Sequence, residues 1–279
     1  MVVSSVVSVE WLRENLANVR VVDASWHLPP TGRNASEEYL KAHIPEAVYF
    51  DIDVCATAGD LPHTLPSPEV FAQYVGNLGI SELDHVVVYD ANGWFSAPRV
   101  WWMFRHFGCA SVSVLDGGFE AWNSQSLPTE SGQPSPRATT FKTSQPQGEA
   151  FKVVCASDVL EASQTGMSQI VDARPAARFH AQEKEFRPGL RSGHIPNSQN
   201  IPIAELIENG RLKSDDALRQ IFNEVGLTHS KPVISSCGSG VTAAVLLLAM
   251  EKIGFTDLSL YDGSWSEWGG LEALPIVSQ

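Results

Sequence analysis

The chain has 279 residues, enough for two domains of ordinary size, and its apolar fraction of 43% allows each domain a core. Its formal net charge of −13 argues against a nucleic-acid partner, which requires a basic face, so an anionic ligand would need a locally basic pocket. Four cysteines without a pairing pattern fit a reducing compartment, taken to be the cytoplasm, and no apolar run reaches transmembrane length, so no membrane partner is expected.

Short apolar segments alternate with segments of helical periodicity along the chain. The first ten residues lack the basic start and long apolar core of a secretory signal, so no targeting segment is expected. In chain order we predict a helix over residues 68–75, a strand over 86–89, a helix over 98–106, a strand over 112–115, a helix over 215–222, a strand over 232–236 and a helix over 245–250. This alternation predicts an α/β fold whose parallel sheets carry helices on both faces and bind ligands at the carboxyl ends of the strands.

The sequence repeats itself at a domain-sized interval. Each half contains an apolar segment ending in Asp-Ala, a His-Ile-Pro motif and an Asp-Gly pair followed by Trp; the matching pairs are residues 21–24 with 170–173, His43 with His194, Asp116 with Asp262 and Trp122 with Trp268. We therefore predict two tandem copies of one domain, over residues 1–122 and 151–279. Residues 123–150, rich in Pro, Ser, Thr and Gln, are predicted to be the linker.

Cys237 opens a glycine-rich turn, Cys237-Gly-Ser-Gly-Val-Thr242, between a predicted strand and a predicted helix. The backbone N–H groups of such a turn and the N-terminus of the helix create a positive potential, which lowers the pKa of a cysteine. We predict that Cys237 is a nucleophile and that the turn can hold an anion carried on its sulfur. The alternative is a buried cysteine before an ordinary turn. In the first copy Asp90 stands where the second has Cys237, so the first copy is predicted to be catalytically silent.

The two His-Ile-Pro motifs and the turn around Cys237 resemble those of the two-domain rhodanese-type sulfurtransferases, and among them the branch that uses 3-mercaptopyruvate. The resemblance covers nearly the whole chain, with further matches at Phe50-Asp-Ile-Asp53, Ser96-Ala-Pro-Arg-Val-Trp-Trp102, Asp172-Ala-Arg-Pro-Ala-Ala-Arg-Phe179 and Tyr261-Asp-Gly-Ser-Trp-Ser-Glu-Trp268. It implies two tandem rhodanese-like domains. One departure is Asn197, where the family commonly has glycine, but asparagine tolerates a left-handed backbone.

The resemblance also implies a reaction. The Cys237 thiolate would take sulfur from a small donor, 3-mercaptopyruvate, release pyruvate, and pass the sulfur from a persulfide to a small thiol, cyanide or a thioredoxin-like protein. Gly238, Gly240, Val241 and Thr242 would line the site that holds the persulfide and the substrate.

By the same resemblance Arg178 and Arg187 bind the carboxylate and ketone of the substrate, because a planar guanidinium can grip a carboxylate with two hydrogen bonds. The alternative is that both are surface arginines paired with Glu183 and Glu185.

The resemblance further implies a relay of Ser239, His63 and Asp53, which would deprotonate the substrate thiol or protonate the departing enolate. The alternative is that His63 is an exposed loop histidine and that Ser239 only donates a hydrogen bond to the persulfide.

The remaining polar and aromatic residues are predicted to be structural. His43 and His194 would brace loops, Asp23 and Asp172 would cap loops, Arg174 would form an ion pair, Cys55, Cys109 and Cys155 would be partly buried, and Trp101 and Trp102 would belong to the core or a domain interface. The sequence contains no Cys-x-x-Cys, no His-x-x-x-His and no Walker-type loop, so no metal and no cofactor are expected.

Three other functions compete with this interpretation. Transfer of sulfur from thiosulfate to cyanide is disfavoured because relatives that prefer thiosulfate carry two basic residues where Gly238 and Ser239 stand. A phosphatase of related fold would end its anion loop in an arginine, which is absent after Thr242. A non-catalytic persulfide carrier would have no need of substrate-binding arginines.

Overall fold

The computed structural model describes residues 4–91, 93–144 and 151–278, which form two compact units. Among these residues, the first unit comprises 4–57, 65–144 and Asn209–Leu212, and the second comprises Ala58–Thr64, 151–208 and 213–278. The last six residues of the predicted linker, 145–150, and Asn92 lie outside the described residues. The two units thus follow the two sequence copies, except that each contains one short segment from the other copy.

The first unit is built on a five-stranded parallel sheet with the strand order β1-β5-β4-β2-β3. Its strands are β1 (Val6–Val7), β2 (Arg20–Asp23), β3 (Val48–Tyr49), β4 (Val86–Tyr89) and β5 (Val112–Leu115). Its helices are α1 (Val9–Asn15), α2 (Ala35–Lys41), α3 (Pro68–Asn77), α4 (Ala97–His106) and α5 (Gly118–Ser124).

The second unit repeats this architecture, with a parallel sheet in the order β6-β12-β11-β7-β8. The strands of the second copy are β6 (Lys152–Val154), β7 (Gln169–Asp172), β8 (Ser198–Asn200), β9 (Ile207–Glu208), β10 (Arg211–Leu212), β11 (Val233–Ser236) and β12 (Leu258–Tyr261). Its helices are α6 (Ala156–Thr165), α7 (Ala176–Phe179), α8 (Asp215–Glu224), α9 (Ala243–Lys252) and α10 (Ser264–Trp268). β9 and β10 are two-residue strands that lie outside this sheet, and β10 belongs to the first unit.

The predicted elements are confirmed, with boundaries shifted by a few residues. All residues of β4, β5, β11 and β12 are buried, as expected of parallel strands covered by helices on both faces. The N-cap serines of α3 and α8, Ser67 and Ser214, accept hydrogen bonds from the N–H groups of Val70 and Ala217, which fixes where these helices begin.

The repeated motifs recur because they supply equivalent core positions. Ile44 and Ile195, from the two His-Ile-Pro motifs, are fully buried, and so are Trp122 and Trp268 to within 1%. Each unit therefore builds its own apolar core around the same landmarks.

The described part of the predicted linker packs against the first unit. Glu130 and His43 exchange backbone hydrogen bonds, and the Thr139 N–H donates to the Gly76 carbonyl. A Cβ at Gly76 would lie 2.6 Å from the Thr139 oxygen, so this close approach requires glycine. Phe141 is buried in the aromatic cluster of this unit. Among the described helices, none has both the length and the apolar composition needed to cross a membrane.

Candidate active site

Cys237 follows the carboxyl end of β11 and is 1% exposed. Ligands of parallel sheets bind beyond the carboxyl ends of the strands. The nucleophile loop, residues 237–242, turns at once into α9, with Gly240 at φ +76°, a conformation that disfavours any residue with a Cβ. Backbone contacts hold Cys237: its N–H donates to Ser264 Oγ at 3.1 Å, and its carbonyl accepts from the Trp265 N–H at 2.9 Å. Within the described residues no hydrogen bond is made to its Sγ.

The equivalent turn of the first unit already holds an anion. Asp90 is 1% exposed, and its Oδ2 accepts hydrogen bonds from the N–H groups of Phe95, Ser96 and Ala97 at 3.0, 2.8 and 2.8 Å. We call these three N–H groups the amide array of the first unit. They stand at the start of α4, where the helix dipole also favours negative charge.

The second unit has the same array without a carboxylate. Ala243 opens α9 as Ala97 opens α4, so the N–H groups of Val241, Thr242 and Ala243 correspond to those around Asp90. Within the described part of the chain, these three N–H groups have no hydrogen-bond acceptor. An anion attached to Cys237 would find here the donors that Asp90 uses in the first unit.

Arg187 borders the nucleophile loop. Its Nη1 lies 3.3 Å from Ser266 Oγ and would lie 3.9 Å from a Cβ built on Gly238. Its guanidinium also sits over the Phe186 ring at 4.9 Å. Arg178 approaches the same ring at 5.4 Å, so the two arginines flank one half-exposed aromatic side chain.

Arg178 also pairs with Glu185, at 3.3 Å, which agrees in part with the alternative that both arginines are paired on the surface. The Glu185 side chain is only 3% exposed, however, and is shared with Arg174, which it contacts at 2.8 Å. Asp172 and Glu185 are thus paired with Arg174 and Arg178, and Arg187 lies over the same Phe186 ring that Arg178 approaches.

The three residues of the expected relay fall in different surroundings. Ser239 and His63 are buried, at 8% and 9% exposure, and both belong to the second unit. His63 has a φ of +58°, which is uncommon for a residue other than glycine. Asp53 belongs to the first unit and is exposed, and its Oδ2 accepts from Trp26 Nε1 at 2.7 Å. His63 is therefore not the exposed loop histidine of the alternative interpretation.

The residues predicted to be structural are so. Nδ1 of His43 hydrogen-bonds to the Tyr39 carbonyl and Nδ1 of His194 to the Phe179 carbonyl; burial lowers the pKa of His194. Asp23 and Asp172 accept N–H groups two residues ahead, Arg174 pairs with Asp172 at 2.8 Å and stacks on Trp265 at 4.1 Å, and Trp101 and Trp102 are buried.

The other cysteines differ from Cys237 and from one another. Burial raises the pKa of Cys55 to about 12 and that of Cys109 to about 11, so both stay protonated thiols at neutral pH. The expected burial of Cys155 is wrong: it is exposed, because it is the N-cap of α6 and lies at a helix end on the surface, with its Sγ near Ser157 and Asp158. The described residues contain no cluster of His, Cys, Asp and Glu suited to a metal ion.

Sequence reasoning missed the two serines at the start of α10 that hold the nucleophile loop. The Gly238 carbonyl accepts from both the N–H and the Oγ of Ser266, at 2.9 and 2.6 Å, and Ser264 Oγ accepts from Cys237. The repeat contained the signal, because the first copy has Gly118 and Glu120 at the corresponding positions. Only the copy with the cysteine has serines there.

Comparison with known proteins matches this architecture to one family. The model of the "Rhodanese-like domain" matches residues 8–125 and 156–271. The chain is 45% identical over 280 residues to a 3-mercaptopyruvate sulfurtransferase of Escherichia coli (strain K12), spanning 97% of this chain and 96% of the relative. It is 42% identical over 281 residues to a thiosulfate sulfurtransferase of Gallus gallus, spanning 95% and 93%.

Among solved structures, the chain is similar to the crystal structure of SseA from Escherichia coli, which is described as showing the rhodanese fold and catalytic mechanism of 3-mercaptopyruvate sulfotransferases. The TM-score is 0.86 at 43% sequence identity, and the match covers 94% of this chain and 99% of that one.

Proposed function

The chain belongs to the rhodanese-like family, and we propose that it moves sulfur from 3-mercaptopyruvate to an acceptor through a persulfide on Cys237, releasing pyruvate. It is an enzyme of the sulfur-transferring class, as are its relatives in Escherichia coli and Gallus gallus. Its donor and its acceptor are small sulfur compounds or thiols.

The amide array beside Cys237 is the observation that carries this proposal. Its counterpart in the first unit binds the Asp90 carboxylate with three N–H groups, whereas the array of the second unit has no acceptor within the described residues. The outer sulfur of a persulfide lies one S–S bond, about 2 Å, beyond Sγ and carries negative charge. The array would therefore stabilise the sulfur-loaded intermediate more than the bare thiol.

The reaction balances without a cofactor. The Cys237 thiolate attacks the sulfur of mercaptopyruvate, and an S–S bond forms as the C–S bond breaks. The electron pair of the C–S bond passes to the enolate of pyruvate, and the proton of the substrate thiol ends on the methyl carbon. A second thiolate, or cyanide, then attacks the outer sulfur and restores the Cys237 thiolate, which gives ping-pong kinetics.

Arg187 and Arg178 would hold the carboxylate and ketone of the substrate. The position of Arg187 next to Gly238 supports this role, because its guanidinium lies within reach of a ligand at the nucleophile loop. The Glu185 carboxylate keeps Arg178 in place and is itself held by Arg174.

Ser239 and His63 would move the proton from the substrate thiol to the enolate. The repeat supports this placement of His63. Gly210 stands four residues before Ser214, the N-cap of α8. Its carbonyl oxygen would lie 3.2 Å from a Cβ on Gly93, in the turn that contains Asp90. His63 stands four residues before the N-cap Ser67, so the same arrangement would bring it beside Gly240.

Thiosulfate as donor is the second candidate, because one relative is a thiosulfate sulfurtransferase at 42% identity. Gly238 and Ser239 argue for mercaptopyruvate, since neither supplies the positive charge that a sulfonate next to the transferred sulfur would need. A pure persulfide carrier would leave the arginine cluster without a function. The four free cysteines support the cytoplasm as the proposed compartment, with a small thiol, cyanide or a thioredoxin-like protein as acceptor.

A donor panel tests the proposal. The enzyme is supplied with mercaptopyruvate or thiosulfate. Three quantities are measured: the pyruvate released, the sulfur transferred to the acceptor, and the mass of the protein. We expect pyruvate release together with a mass gain of one sulfur atom, both lost in Cys237→Ser and both retained in Cys155→Ser, an exposed control. Pyruvate formation by folded Cys237→Ser, or faster transfer from thiosulfate than from mercaptopyruvate, would overturn the proposal.

A further inference from the structure

Ser266 contacts both the nucleophile loop and the arginine beside it. Its Oγ donates to the Gly238 carbonyl at 2.6 Å and accepts from Arg187 Nη1 at 3.3 Å. A hydroxyl carries one donor and two acceptor sites, so these two contacts can exist at the same time. Ser266 itself is 8% exposed, in α10, and its position is fixed by the helix.

We propose that Ser266 is a positioning residue that couples the orientation of Arg187 to that of the nucleophile loop. The proposal rests on the proposed function, in which Arg187 binds the substrate carboxylate and Cys237 attacks the substrate sulfur. These two ends of one small substrate must be presented in a fixed relative geometry for attack. The Ser266 hydroxyl joins the Gly238 carbonyl, one residue after Cys237, to the guanidinium that would hold the carboxylate.

The hydroxyl is one of two donors that Ser266 offers to the loop. The Gly238 carbonyl also accepts from the Ser266 backbone N–H at 2.9 Å, so it keeps a hydrogen-bond partner when the hydroxyl is removed. Ser266→Ala thus loses the contact with Arg187 and one of the two hydrogen bonds to the Gly238 carbonyl. This variant therefore tests the coupling with little cost to the fold.

The first copy shows what the position becomes without a nucleophile. Glu120 corresponds to Ser266 and is exposed. The neighbouring backbone hydrogen bond is present in both copies: the Phe119 N–H donates to the Asp90 carbonyl at 3.0 Å, and the Trp265 N–H donates to the Cys237 carbonyl at 2.9 Å. The packing of this short helix against the turn is thus common to both copies. The serine hydroxyl belongs only to the copy that carries Cys237 and Arg187.

Ser264 provides a matched comparison within the same helix. It touches the N–H of Cys237 but not Arg187, and its φ of +48° is one that glycine adopts freely; the first copy has Gly118 there, at +57°. Ser264→Gly therefore loosens the nucleophile loop without touching the arginine. We expect it to slow sulfur transfer from every donor alike.

The experiment is a double-mutant cycle on Ser266→Ala and Arg187→Ala, with persulfide formation followed for mercaptopyruvate and for inorganic polysulfide, a donor without a carboxylate. We expect Ser266→Ala to lower kcat/KM for mercaptopyruvate about tenfold, through a fall in kcat as well as a rise in KM, and to leave the polysulfide rate within about twofold. In the Arg187→Ala background the same change should cost less than about twofold, because the partner it acts through is gone. Ser266→Thr, which keeps the hydroxyl, should restore most of the loss.

Two results would overturn the coupling while leaving the proposed function intact. One is independent, multiplicative losses from the two substitutions; the other is an equal loss with both donors in Ser266→Ala, which would match Ser264→Gly and indicate a general effect on the loop. If the unmodified enzyme formed no persulfide with mercaptopyruvate, both proposals would fall together. Thermal melts of each variant establish that the rates refer to folded protein.

Discussion

Asp90→Ala separates the structural use of an amide array from its catalytic use. In the first unit the Asp90 carboxylate caps three buried N–H groups at the start of α4. Alanine removes the acceptor, and its methyl group cannot accept hydrogen bonds from the three N–H groups. The substitution therefore damages the first unit while leaving Cys237 and its loop as they are.

The size of the effect follows from the hydrogen bonds. A bond to a charged group contributes about 1.5–3 kcal/mol, and a buried donor left unpaired costs about 1–3 kcal/mol. The three bonds share one oxygen and do not add, and removal of the buried charge offsets part of the loss, since Asp90 Oδ1 has no partner among the described residues. We expect the free energy of unfolding to fall by about 2–4 kcal/mol.

The assay compares thermal melts, urea unfolding and kcat for mercaptopyruvate in the unmodified enzyme, Asp90→Ala and Asp90→Asn. Asn keeps one acceptor oxygen without the charge, so its loss should be smaller, about 1–2 kcal/mol. Turnover per folded molecule should stay unchanged in both. An unaltered melting curve combined with lost activity would refute the reasoning, because Asp90 would then act in catalysis and the first unit would not be silent.

Three further outcomes are expected. Arg187→Ala or Arg178→Ala should lower kcat/KM for mercaptopyruvate by roughly 1–3 kcal/mol in transition-state stabilisation and affect thiosulfate less; equal losses with both donors would exclude a carboxylate-specific role. Gly238→Arg combined with Ser239→Lys should raise thiosulfate turnover and lower that of mercaptopyruvate, because the built Cβ at 238 lies 3.9 Å from Arg187 Nη1 and a cation there would repel it; an unchanged donor ratio in folded protein would place specificity elsewhere. Burial raises the pKa of Asp23 to about 6. Between pH of about 4 and about 6 the folded state therefore keeps a proton that the unfolded chain has lost. The free energy of unfolding falls by roughly 3 kcal/mol as pH rises through this range. Asp23→Asn should therefore raise Tm more at pH 7 than at pH 4, and an equal change at both would contradict this.

Much of the fold could be predicted because its signals are local or repeated. β4 and β11 are continuous apolar segments, and the two His-Ile-Pro motifs each place a fully buried isoleucine, Ile44 and Ile195, in a core. Cys237 was identifiable because a thiol, two glycines and a helix start stand together in the sequence. Asp90 in the same position of the first copy then indicated which copy carries the nucleophile.

The rest depends on contacts between residues far apart in sequence. Ser264 and Ser266 reach the nucleophile loop across separations of 27 and 28 residues, and no local pattern marks a serine that will hold a distant peptide. The membership of Ala58–Thr64 in the second unit, and of Asn209–Leu212 in the first, likewise arises only from tertiary packing. Cys155 was misjudged because its exposure is decided by its place at the end of α6 and not by its side chain.

The two amide arrays also make stability a function of sulfur load. Asp90 fills the first array permanently, whereas under the proposed function Val241, Thr242 and Ala243 would gain an acceptor when Cys237 carries a second sulfur. The second sulfur stays attached to Cys237 in the folded and the unfolded chain, but only the folded state offers it these N–H donors, so loading would stabilise the second unit. Amide hydrogen exchange at these three positions would then slow on loading and recover on discharge. When the sulfur acceptor is scarce, the enzyme would remain in its sulfur-loaded, more stable form.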